Sequence, residues 1–135
     1  MSKRWAEHLS NISPKAIIGD DCVIHAGVHI HDQVKIGNRC LIQALAFIPN
    51  GVTIGDDVFV GPAVVFTNDR NLTEPWEISR TIVKNGVKIG ANATIIAGVT
   101  LGEGCVIGAG AVVTKDVPAG ELWVGNPAKF LRMSR

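Results

Sequence analysis

The chain has 135 residues, enough for one domain spanning 1–135, and its 13 Lys and Arg against 12 Asp and Glu leave no basic surface of the kind nucleic acid requires. The longest apolar stretch is far short of a membrane span and the N-terminus leads into no signal-peptide core, so a cytoplasmic address follows by default. A small acidic or zwitterionic molecule stays open as a ligand.

Residues 2–10 carry Trp5 and Leu9 four apart, which predicts one or two turns of helix capping an end of the fold. From Ile12 every sixth residue is then bulky and apolar: Ile18, Ile24, Ile30, Ile36, Ile42, Ile48, Ile54, Val60 and Phe66, resuming as Val83, Ile89, Ile95, Leu101, Ile107 and Val113. A small or β-branched residue stands four after nearly every one of these, Cys22, Val28 and Ala46 among them; Arg70, at the one break in phase, is the exception. A period of six is neither helical nor continuously alternating. It fits a three-sided β-helix of short strands, each inward, outward, inward and then turning. Three units close a coil of 18 residues, and the 16 units make about five coils over about 12–118. The first turn residue is Gly in seven units, as tight corners favour.

Between Phe66 and Val83 the phase breaks, and the polar text from Asn68 through Trp76 reads as a loop over about 68–82, thrown out from one corner. A loop of this length in so regular a fold points to function. Pro118-Ala119-Gly120 ends the coils, and in the tail, 119–135, Asn126 and Pro127 stand as cap and first residue of a short helix.

Taking the units in turn assigns outward residues to three faces. The first has Ile17, Lys35, Thr53, Ile82 and Thr100; the second Val23, Leu41, Phe59, Lys88 and Val106; the third His29, Phe47, Val65, Thr94 and Val112. The second and third are too apolar for solvent, which predicts rods packed side by side, most simply as a trimer. Cys22, Cys40 and Cys105 all take the small inward position and read as core.

The repeat, together with Val106-Ile107-Gly108-Ala109-Gly110-Ala111-Val112-Val113-Thr114-Lys115-Asp116-Val117-Pro118 and Val124-Gly125-Asn126-Pro127-Ala128-Lys129, closely resembles the left-handed β-helix, or hexapeptide-repeat, acyltransferases. The resemblance implies an all-β fold of left-handed coils and a homotrimer with acetyl-CoA held between neighbouring rods. Ile42-Gln43-Ala44-Leu45-Ala46-Phe47-Ile48-Pro49 and Val65-Phe66-Thr67-Asn68-Asp69-Arg70 look like the branch that acetylates amino groups of nucleotide-linked sugars for surface polysaccharides, lipopolysaccharide among them. Transfer to a hydroxyl or another small acceptor, and a non-catalytic trimeric scaffold, stand as alternatives.

The corner between the second and third faces reads His25-Ala26-Gly27, Gln43-Ala44-Leu45, Gly61-Pro62-Ala63, Gly90-Ala91-Asn92 and Gly108-Ala109-Gly110, nearly bare in its last three coils. A pantetheine arm would lie there along Gly90, Ala91, Gly108 and Ala109, with its nucleotide end at Lys115, Asn126 and Lys129, where positive charge suits phosphates. The thioester would then end near Gln43 and His25. Acyl transfer needs a base and an oxyanion donor, so His25 or His29 is expected as the base and the Gln43 amide or a corner N–H as the donor. Proton loss to the departing thiolate is the alternative to a protein base. Asn68, Asp69, Arg70 and Trp76 are expected to contact the acceptor. One branch with this fold resembles zinc-dependent carbonic anhydrases, but His25, His29 and His31 share one coil, so no metal is expected.

Overall fold

A computed structural model describes residues 3–4, 9–72, 75 and 77–135; the side chains of Lys3 and Arg4 are not among what it describes. The chain winds as a left-handed parallel β-helix with three sheets for faces. The first face stacks Ile17–Ile18, Lys35–Ile36, Val52–Ile54, Thr81–Val83 and Thr100–Leu101. The second stacks Val23–Ile24, Leu41–Ile42, Phe59–Val60, Lys88–Ile89 and Val106–Ile107, and the third runs from Asn11–Ile12 through His29–Ile30, Phe47–Ile48, Val65–Phe66 and Thr94–Ile95 to Val112–Val113. Each outward residue falls on the face assigned to it from the sequence. About six turns are present rather than about five, because strands before and after the regular units extend the ladders.

Pairing is in register with the repeat: Val23 faces Leu41 and Leu41 faces Phe59, 18 residues apart each time, whereas Phe59 faces Lys88, 29 apart. The segment 67–80 therefore inserts 11 residues into one corner without shifting the phase of the coils on either side. The core is the file of inward residues, with Ile24, Ile42, Ile89 and Phe66 wholly buried. Each such side chain contributes about 1.5–3 kcal/mol.

Two classes of glycine have separate causes. The third residue of most turns is left-handed, at φ 76° for Gly27 and 71° for Gly110, and non-glycine residues accept the same conformation at Asp21, Arg39, Leu45 and Asn92. The first-position glycines are required by stacking instead: a Cβ on Gly90 would sit 2.6 Å from the Ala109 nitrogen, and one on Gly61 would sit 2.8 Å from the Ala91 nitrogen.

The predicted C-terminal helix is corrected, since Glu121–Val124 and Lys129–Met133 are strands, whereas residues 5–8 of the predicted N-terminal helix lie outside the described residues. At the N-terminus, Lys3–Arg4 pairs with Val23–Ile24 and so covers the open edge of the second face, which would otherwise present unpaired N–H and C=O groups; Trp5 lies outside the described residues. At the C-terminus, Glu121–Val124 adds in parallel to Val106–Ile107, then Lys129–Met133 returns antiparallel to it. The Asn126–Pro127 bond is cis, inside the hairpin turn rather than at a helix start.

The three cysteines are free and buried. The Cys22 and Cys40 thiols each donate to the carbonyl of a corner glycine one coil on, Gly37 and Gly55, both at 3.1 Å. Burial pushes the Cys40 thiol up to about 11 and that of Cys105 up to about 12. Both are therefore expected to resist a maleimide at about pH 8 while the denatured chain labels fully, a difference read by mass spectrometry.

Candidate acyl-transfer site

The corners differ in what satisfies their backbone. Between the first and second faces, a side chain one coil on caps the first three turns: the N–H groups of Asp20, Asn38 and Asp56 donate to Asn38, Asp56 and Asn85 at 2.8, 2.7 and 2.8 Å. Between the second and third faces the same position is Ala44, Ala91 or Ala109, which offers no such acceptor. The N–H groups of these three alanines have no hydrogen-bond partner among the described residues. The result is a row of unpaired donors along a corner whose middle position carries only methyl groups and Pro62. His25 and Gln43 stack at the N-terminal end of this corner, their N–H groups donating to Ile42 and Val60. Beside them Leu45 is 65 % exposed and held at φ 68°, an unusual state for a branched side chain.

Lys115 and Lys129 come together at the C-terminal end of the rod. With Trp123, Pro127 and Phe130 they line a cavity of about 310 Å³. Asn126 is outside its lining, and Lys115 belongs to the corner between the third and first faces. The expected groove is thus divided in a single rod: the alanine row runs along one edge of the third face, and Lys115 stands on the other.

The loop residues are tied to the rod. Arg70 donates from Nη1 to the Ala97 carbonyl and from Nη2 to the Thr114 carbonyl, both at 2.9 Å, clamping the loop across two coils. Asp69 accepts with Oδ1 from the N–H groups of Asn71 and Leu72 at 3.1 Å, while its buried Oδ2 has no partner among the described residues. The Asn68 carbonyl accepts from Ser79. Trp76 lies outside the described residues.

His29 is separated from His25 and grouped with His31 and Phe47. The two imidazole centroids are 4.3 Å apart, and each stands edge-on to Phe47 at 5.3 Å. Burial, followed by the nearby charge of His31, holds His29 below the usual histidine range. His31 and its neighbours Asp32 and Asn50 were not picked out from the sequence as catalytic, nor were Trp123 and Phe130 as ligand-binding. The coil period carried the signal for the first group, since Asn11 and His29 are 18 apart and His31 and Asn50 are 19 apart. Among the described residues, no three His, Cys, Asp or Glu side chains converge as a metal would need.

Known proteins share this architecture. Residues 15–50, 33–68 and 80–115 match the family described as bacterial transferase hexapeptide (six repeats). The 2,3,4,5-tetrahydropyridine-2,6-dicarboxylate N-acetyltransferase of Staphylococcus carnosus is 40% identical over 82 residues, which are 61% of this chain and 33% of that protein. A perosamine N-acetyltransferase variant from Caulobacter crescentus, in complex with CoA and GDP-perosamine, superposes with a TM-score of 0.81 at 29% identity, covering 91% of this chain and 53% of that one. The acetyltransferase domain of PglB from Neisseria gonorrhoeae, in complex with acetyl coenzyme A, gives 0.79 at 26% identity, covering 90% and 54%. The chain spans about a third of the length of the curated relative and about half of each structural one. With the family match extending over more than half of its residues and the coils wound as the repeat demands, the chain belongs to the bacterial hexapeptide transferase family.

Proposed function

We propose that this chain is an acyltransferase that carries acetyl from acetyl-CoA to the amino group of a nucleotide-linked amino sugar, and that it works as a homotrimer. The observation that carries the reading is the row of unpaired N–H groups at Ala44, Ala91 and Ala109, because a pantetheine arm offers amide carbonyls to such donors. Lys115, Lys129 and Asn126 then meet the nucleotide phosphates. The division of the groove between two edges of the third face suits a cofactor shared by adjacent rods, as does the apolar third face with Phe47, Val65 and Val112 outward. Structural relatives bound to CoA, and in one case to GDP-perosamine, support the cofactor and the acceptor class. Supply of acetyl-CoA puts the reaction in the cytoplasm, and the product class suits surface-polysaccharide assembly.

In this reading the acceptor amine attacks the thioester carbonyl carbon. The Gln43 amide or a corner N–H steadies the developing oxyanion, with His25 stacked beside it and His29 on the adjoining face as proton acceptors. Arg70 serves to hold the loop in place. CoA at 100 times its dissociation constant should stabilise the folded chain by about 2.7 kcal/mol in a thermal melt. A melt unmoved by saturating CoA would leave the scaffold reading. Release of free thiol against a panel of dTDP- and UDP-linked sugars, with amino and hydroxyl acceptors, identifies the substrate.

A further inference from the structure

The third face ends toward the N-terminus in a cavity of about 440 Å³ lined by Asn11, Ser13, His29, His31, Asp32 and Asn50. Its side chains are locked by one another. Asn50 Oδ1 can only accept, so the 3.2 Å contact from His31 fixes the proton on Nδ1 and leaves Nε2 as the basic nitrogen. Asn11 Nδ2 can only donate, so its 3.3 Å contact makes His29 Nε2 the acceptor and Nδ1 the protonated nitrogen. Ser13 Oγ donates to Asp32 Oδ1. The two histidines of one cavity thus hold opposite tautomers, one presenting an acceptor and the other a donor.

The lining also selects by charge. Among the described residues it includes no Lys or Arg, and Asp32 is its only carboxylate. Such a site does not attract a phosphate or a carboxylate. It is built for a neutral or cationic molecule rich in hydroxyl and amino groups.

We infer that this cavity seats the amino-sugar moiety of the acceptor, with Asp32 and the two asparagines on its polar groups and His31 Nε2 as the proton acceptor for the amine. The inference rests on the acetyl-CoA reading above and moves the base from His25 and His29 to His31. The amine nitrogen bonds to the acetyl carbon, the carbon–sulfur bond breaks, and the proton lost by nitrogen passes through His31 Nε2 to the CoA thiolate. His29, with Nε2 already engaged by Asn11, positions the acceptor by donating from Nδ1. The thioester must then reach the far edge of the third face, which a groove shared between two rods allows and one confined to the alanine corner of the same rod does not.

Side-chain imidazole resonances, followed by NMR as glucosamine is added to the full chain, test the seat directly. Saturable shifts at His29 and His31 with His25 unmoved are the expected result; unmoved His29 and His31 resonances, or a shift at His25 alone, overturn the assignment. H31Q, measured with the best acceptor from the panel, should lower kcat on the order of a hundredfold or more while CoA still raises the melting temperature as in the parent. N50A should fall in the same direction by less. Undiminished turnover in H31Q removes the inference and leaves the CoA reading standing, whereas failure of CoA to stabilise the parent chain removes the reading beneath it.

Discussion

Phe66→Ala is expected to lower unfolding free energy by about 3–5 kcal/mol, a large share of the roughly 5–15 kcal/mol available to a domain. Phe66 is the largest of the wholly buried side chains, and it opposes Ile95 on the next coil. The interior of a β-helix is a single file, so the neighbours that could collapse into the space lie mainly in the coils directly above and below it. Their backbone is fixed by the ladder, and the hole stays open. The substitution also falls where the loop leaves the rod, at a joint whose far side is held by Arg70 on Ala97 and Thr114. Urea unfolding followed by Trp fluorescence measures the loss, and a cost below about 1 kcal/mol would mean that the coil closes around the gap.

Gly90→Ala and Ala109→Leu are expected to fail in opposite ways, although the residues are adjacent in the stack. A methyl on Gly90 would meet the nitrogen of Ala109 at 2.6 Å and its Cα at 2.9 Å, both backbone atoms that cannot rotate away. The two coils must part, at a cost of about 1–3 kcal/mol or more. Ala109 is exposed, so a leucine there meets nothing inside the rod and should leave the melting temperature nearly unchanged. It does cover the donor row. Ala109→Leu is accordingly expected to abolish stabilisation by CoA while folding normally, and Gly90→Ala to be less stable yet still to respond to CoA. Melting curves with and without CoA decide both, and a normal CoA response in Ala109→Leu places the cofactor away from this corner.

Much of this was legible before any coordinates. The residues that recur at six fix the strands, and multiples of 18 fix which residues share a face, because the ladder admits one register. Free Cys22 and Cys40 in the core follow from the same arithmetic. The C-terminal hairpin was not legible in that way. Asn126-Pro127 satisfies the local rules for a helix start, but the exposed edge of Val106–Ile107 offers Glu121–Val124 a ladder that local preference cannot anticipate. The reason for the glycines was also half hidden. Their turn position was visible, whereas the close approach of the next coil behind Gly61 and Gly90 is a contact between residues far apart in sequence.

At the candidate site, the sequence supplied the histidines without their partners. His25, His29 and His31 look equivalent as text. Winding sends His25 to the alanine corner and gathers the other two around Phe47, and the amides that set their tautomers, Asn11 and Asn50, come from the coils before and after.

The 29-residue step between Phe59 and Lys88 has a consequence for how this chain can change its length. Growth is quantised: sequence added within the winding must come in whole circuits, or each later side chain rotates onto the wrong wall. An excursion that leaves and re-enters at one vertex escapes that rule, since its size is invisible to the register. Variation in length can therefore accumulate at that vertex in any number of residues, while the rod beneath it is inherited in fixed portions.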